Sequence, residues 1–184
     1  MQAADPNHTP DFDSQPVLRG PTLLLRPLQS ADHEPLWQVA RDPLIWEQHP
    51  DKTRAEPEGF ARFFQSALES RSALVVIDDR SGRIIGSSRY YEWDPQRREL
   101  AIGYTFLARE YWGGAANREM KQLMMQHAAR WADRVWFHVG ADNLRSRRAM
   151  EKLGARAVFE EPRPLNGDMV DFVYYALESS LFRT

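Results

Sequence analysis

Cysteine is missing from this 184-residue chain. Its absence removes disulfides and thiolate metal sites, and it suits a reducing cytoplasm. A long apolar run is missing too. Nothing approaches the roughly 20 residues needed to span a bilayer, and the acidic, proline-containing start lacks the basic and apolar regions of a signal peptide. Nor does charge of one sign accumulate: 24 Lys and Arg face 26 Asp and Glu for a formal net charge of -2, which offers no basic footprint for nucleic acid. No pair of His, Asp or Glu has a recognised metal-ligand spacing, no Gly-x-Ser-x-Gly elbow exists, and the phosphate loop ending in Gly-Lys-Ser or Thr is absent. These absences leave a cytoplasmic protein with no metal, no membrane and no nucleic acid among its expected partners. The length suffices for one buried core and is short for two.

What is there begins with Met1 to Pro16, rich in Asp, Pro and Asn and almost devoid of apolar residues, which reads as a mobile tail ahead of a single domain over residues 17–184. Thr22 to Leu28 reads as a first strand. Ser30 is placed to cap a helix running to about Ala40, a short helical turn follows around Ile45 and Trp46, and a third helix fits Pro57 to Arg71 with Phe60, Phe63, Phe64, Ala67 and Leu68 on one face. A hairpin comes next, with strands over Ala73 to Asp78 and Ile84 to Glu92 around a turn at Asp79 to Gly82. The final strands, near Arg156 to Glu160 and Val170 to Leu177, are separated by Pro162, Pro164, Asn166 and Gly167. There is no internal repeat.

The most informative stretch runs from Glu99 to Asn117. A strand-like segment, Glu99 to Leu107, leads into Tyr111, Trp112, Gly113, Gly114, Ala115, Ala116 and Asn117. After these, Met120, Leu123, Met124, Ala128 and Trp131 recur at helical spacing. Small residues at a helix N-terminus leave several N–H groups unpaired and pointing outward, where the helix dipole also favours negative charge. A phosphate or pyrophosphate fits there, although such residues also serve ordinary tight turns. About thirty residues on, beyond a strand candidate over Val135 to Val139, comes Asn143-Leu144-Arg145-Ser146-Arg147-Arg148, opening a short helix that Gly154 closes. Asn143 suits an N-cap and Gly154 a C-terminal stop. His127, on the apolar face of the longer helix, reads as a packed histidine with a satisfied nitrogen.

The two motifs, in this order and at this separation, resemble the acyl-CoA pyrophosphate loop and the following Asn-x-x-Ser segment of the GNAT N-acetyltransferase superfamily. The resemblance covers roughly Leu23 to Leu177 and is nearest to the ribosomal-protein N-terminal acetyltransferase branch (RimJ/RimL type). It implies an α/β (α+β) GNAT fold: a mixed, mostly antiparallel sheet of about six to seven strands with splayed central strands, flanked by helices. It implies acetyl-CoA as cosubstrate, held by Phe106, Leu107, Trp112, Gly113, Gly114, Ala115, Ala116, Asn117, Asn143, Ser146 and Arg148. The helices after the first strand would form one wall of the acceptor site, and an exposed strand edge would pair two subunits in a homodimer. One position departs from the pattern, with Glu110 where a Gln or Arg is usual.

The implied reaction is attack of a primary amine, from a protein N-terminus or a small molecule, on the acetyl-CoA thioester. An alkylammonium with a pKa near 10.4 must first lose a proton, and a thiolate resembling Cys, with a pKa of about 8.5, leaves more readily if protonated. Backbone N–H groups near Leu107 would meet the developing oxyanion, at roughly 3 kcal/mol per donor. The tyrosine usual in the family seven residues after the Asn is Met150 here, which leaves Ser146 as the candidate acid, whether donating directly or holding a water. The base usual in the branch falls on Ala101, and Glu99 is the nearest carboxylate on that strand face, about 7 Å along it. Glu92 and a water chain are the other options for the base. A second reading is a non-catalytic acyl-CoA sensor or scaffold of the same fold, since the tyrosine and the usual glutamate are both replaced.

Overall fold

The computed structural model describes residues 11–183. In chain order the elements are β1 (Leu18–Arg19), β2 (Leu23–Pro27), α1 (His33–Ala40), α2 (Pro43–Trp46), α3 (Pro57–Glu69), β3 (Ala73–Asp78), β4 (Ile84–Asp94), β5 (Glu99–Leu107), α4 (Ala115–Ala128), β6 (Arg134–Gly140), α5 (Leu144–Leu153), β7 (Arg156–Leu165) and β8 (Asp168–Glu178). They form one eight-stranded sheet in the order β1-β2-β3-β4-β5-β6-β8-β7. All neighbours are antiparallel except β5 and β6. The eighth strand, beyond the six or seven expected, is the two-residue β1.

Both sheet faces are covered, because the strands carry apolar residues on both sides. Leu25, Val76, Ile85, Leu100, Ile102 and Val135 pack against Met120, Met124, Met125 and Ala128 of α4. On the other face Val75, Ile77 and Phe106 pack with Leu36 of α1, Trp46 of α2 and Phe60, Phe63 and Phe64 of α3. The amphipathic α3 begins with Pro57 at its first position, where a missing N–H costs nothing.

Three local expectations change. Ser30 caps nothing. A 3-10 turn over Ser30–Asp32 precedes α1, with Gln29 as its N-cap and the buried Asp32 reaching back to it; Asp32 also takes two hydrogen bonds from Arg26, at 2.7 and 2.8 Å. At the other end of the chain, Pro162 and Pro164 lie within β7, not between strands. They are tolerated because β7 is the sheet edge and pairs only with β8. Asn166 and Gly167, both at positive φ, make the two-residue turn.

The third change concerns the tail, of which residues 1–10 lie outside the described part. From Phe12 on the segment is docked. Its ring sits 5.1 Å from Tyr90, 5.5 Å from Trp93 and 5.5 Å from Trp131, and the Asp13 carbonyl meets His127 Nε2 at 2.6 Å. One aromatic residue with a ready-made aromatic niche outweighs the polarity around it.

Candidate active site

Two departures from regular pairing open the sheet. β5 and β6 pair only from Glu99 to Ala101 against Arg134 to Trp136, so beyond Ala101 the β5 edge facing β6 has no strand partner. Against β4, the pairing passes from Arg89↔Gly103 to Ser87↔Phe106, three residues of β5 for two of β4. Tyr104 takes up the extra residue at φ +52, a bulge that bends the strand. The V-shaped gap between β5 and β6 continues into a cavity of about 1060 Å³. Its lining includes Phe106, Leu107, Trp112, Gly113, Gly114 and Asn117 on one side and Asn143, Ser146 and Arg148 on the other. Nine of the eleven residues expected to hold the cosubstrate thus share one cavity.

Ala115 and Ala116 lie behind it. With Gly114 they border a smaller hollow of about 260 Å³ beside Asp78, Arg80 and Tyr111, and they enter the argument as the first turn of α4. The N-cap of α4, Gly114, makes no side-chain capping bond, so the first-turn N–H groups are left for a ligand. Gly113 has φ +68, and a Cβ there would meet nothing within 4 Å; the conformation, not crowding, calls for glycine. Two hydrogen bonds fix the loop before it: Trp112 Nε1 donates to the Leu107 carbonyl at 2.9 Å and Tyr111 to Asp78 at 2.7 Å. Glu110 turns away and pairs with Arg83 at 3.1 Å among exposed side chains. Arg118, Arg145, Arg148 and Lys152 line the same cavity, with the Arg145 guanidinium 3.9 Å from the Trp112 ring centre. Arg147 points elsewhere, to Tyr175 Oη and the Ala141 carbonyl. An uncapped helix N-terminus, a left-handed glycine and a cationic rim suit a diphosphate.

Asn143 is the buried N-cap of α5, its Oδ1 accepting from Ser146 N–H at 3.1 Å. That bond places Ser146 in the cavity wall with its hydroxyl free of any recorded partner among the described residues. Glu99 is not in the wall. It sits where β5 and β6 are still paired, one oxygen 3.2 Å from Arg134 and the other accepting from Trp136 Nε1 at 2.9 Å. Glu92 lies nearer, 3.9 Å from the cavity-lining His138 and bonded to Arg163 at 3.0 Å.

Two histidines in the wall are held neutral. His49, buried beside Arg54, is pushed down to about 3 chiefly by desolvation, with its Nδ1 accepting from Asp51 N–H at 2.9 Å. His138 is pushed down to about 4, again by burial first and by Arg163, which donates to its Nδ1 at 2.7 Å. Sequence reasoning missed a third group: Lys121 of α4, which lines the cavity yet is only 4% exposed. Burial alone lowers its ammonium to about 7. The signal was its position, four residues after Asn117 and four before Met125, a charge inside an apolar arc.

The profile of the Acetyltransferase (GNAT) domain matches residues 22–156. The chain belongs to the GNAT acetyltransferase family. Solved structures agree on the fold. A GCN5-related N-acetyltransferase from Brucella melitensis is 20% identical over 90% of this chain and 80% of its own, at a TM-score of 0.80. A GNAT-family acetyltransferase from Bacillus anthracis is 18% identical over 90% and 99%, at 0.72. Spermidine N-acetyltransferase from Vibrio cholerae, solved with CoA and spermine, is 16% identical over 89% and 99%, at 0.65. No curated protein matches. As a GNAT enzyme the chain transfers an acetyl group to an amine.

Proposed function

We propose that this GNAT enzyme uses acetyl-CoA to acetylate a primary amine, from a protein N-terminus or a small molecule, by direct attack and in the cytoplasm. The carrying observation is the cavity that joins the Gly113–Gly114 loop to the gap between β5 and β6. The α4 N-terminus with Arg118 and Arg148 would hold the pyrophosphate and the 3′-phosphate, and Asn143 and Ser146 the pantetheine side. Acetyl-CoA supplies the activated acyl group when bound. The unpaired β5 edge beyond Ala101 offers backbone N–H groups to the oxyanion, in a wall that Phe106 and Leu107 keep apolar. Glu92 is better placed than Glu99 to take a proton, because the Glu99 oxygens are already engaged away from the cavity.

The charge behind the cavity-lining Tyr104 bears on the acceptor. Arg54 and Arg89, both buried, stack on Tyr104 with their guanidinium carbons 5.8 and 4.1 Å from its ring centre. Arg54 has Asp51 at 3.1 Å, whereas Arg89 Nε and Nη2 are buried without partners. Such positive charge disfavours a polyamine and suits a monoamine or an N-terminus. A thermal-shift titration with acetyl-CoA, followed by turnover assays on N-terminal peptides, small monoamines and spermidine, tests the reading. Stabilisation that grows with ligand and turnover of the first two classes are expected. Absence of any shift at millimolar acetyl-CoA would sink it.

A further inference from the structure

The departing sulfur needs a proton, and the cavity wall offers few donors. Met150 carries none, and the Ser146 hydroxyl is a poor acid. Lys121 stands apart by geometry. It lies on α4, six residues past Ala115, so the anion-binding turn and this amine belong to one helix. Its Nζ donates to Thr105 Oγ1 at 2.9 Å, and that hydroxyl is 2.7 Å from Ser88 Oγ. The Phe137 ring centre is 5.4 Å from Nζ. Thr105 belongs to the unpaired part of β5 and Phe137 to the facing strand β6, so the amine sits on the floor of the gap between them. The titratable groups around that gap are Arg118 on its own helix, Tyr104 on β5, His138 on β6, His49 after α2, and Arg145, Arg148 and Lys152 on α5. From β4, Ser88 meets Thr105, Tyr91 bonds His138 and Arg89 stacks on Tyr104. No carboxylate among the described residues lies within ion-pairing distance of Lys121. A buried ammonium without a counter-ion is expensive, and a methionine would fill the space without that cost.

We propose that Lys121 donates the proton that the thiolate takes up as the acyl group leaves it, a role that rests on the acetyl-CoA reading of the cavity. In that step the acceptor nitrogen's lone pair forms the C–N bond to the acyl carbon. The C–S bond breaks with its electron pair going to sulfur, and the ammonium passes one proton to that sulfur. The proton shed by the nitrogen goes to solvent, and solvent recharges the lysine, so the products are an amide and a free thiol. An ammonium near 7 gives its proton downhill to a thiolate of about 8.5. A lysine with an ordinary value would not.

Rates with hydroxylamine, which is mostly neutral at neutral pH, remove the acceptor's own ionisation from the profile. The wild-type kcat is expected to fall as pH rises through about 7. Lys121→Met should be about tenfold slower or worse near pH 6.5 and flat over the same range, with the KM for acetyl-CoA changed less than about threefold. Lys121→Arg stays charged but releases no proton, so it should behave like the methionine variant. It also serves as the second variant, with urea midpoints reporting that both fold. Rates within twofold of wild type, with hydroxylamine or with a primary amine, would overturn the role of Lys121 while acetyl-CoA binding stands. Loss of acetyl-CoA stabilisation in the wild type would overturn the cavity reading, and this proposal with it.

Discussion

Gly113 shows how a single backbone angle carries a ligand site. At φ +68 with open space around it, substitution meets no clash; the cost is conformational. Gly113→Ala should weaken CoA binding modestly and Gly113→Val by about tenfold or more, because a β-branched residue resists the left-handed region. Titration calorimetry with CoA reads the difference, and equal affinities for all three proteins would show that the loop does not bind through this turn. That glycine was legible from the sequence, as were the cap at Asn143 and the left-handed stop at Gly154, because short-range chemistry fixes each of them. Glu99 and Lys121 were not. Whether Glu99 faces the gap depends on where β5 leaves β6, and whether Lys121 is buried depends on which strands α4 covers. Both are facts of long-range packing.

At the scale of elements, the boundaries of β3 followed from the hairpin turn at Asp79 to Gly82, those of β5 from alternation, and α3 from its aromatic face. The extension of β7 through two prolines did not, since only sheet order reveals that the strand is an edge. The docked segment before β1 was hidden in the same way. Phe12 looks isolated in a polar stretch, yet Tyr90, Trp93, His127 and Trp131 come from β4, α4 and the residues after them to make its niche. Ser14 adds a hydrogen bond to the Arg71 carbonyl at 2.9 Å. Phe12→Ala should therefore cost about 2 kcal/mol in urea unfolding, below the range for a fully buried phenylalanine because the ring is half-buried. Removal of residues 1–16 should cost no less. An unchanged midpoint in both proteins would mean that the segment is a passive tail after all.

For the molecule as a whole, the groups buried around the cavity set how stability depends on pH. His49 and His138 titrate at about 3 and about 4 in the folded protein and at about 6.5 when unfolded. Between those values the unfolded chain binds more protons, so their contribution is present above about pH 6.5 and is lost as pH falls toward 4. For His49, the more deeply buried of the two, the loss is about 3 kcal/mol down to pH 4. His49→Gln should flatten the acid side of the stability curve. Lys121 follows the same sign in a higher window. Its folded value of about 7 lies below an unfolded value near 10.4, so the penalty for burying it is full below pH 7 and fades as pH rises toward 10. Lys121→Met should accordingly be more stable than wild type at pH 7, by an advantage on the order of a few kcal/mol that shrinks steadily toward pH 10. Urea midpoints for the wild type and the two variants across pH 4 to 10 separate the windows. A Lys121→Met advantage that stays constant with pH would mean that the amine is charged in the folded protein throughout. In that case its place in the gap would be that of a fixed positive charge, and it could not give up a proton near neutrality.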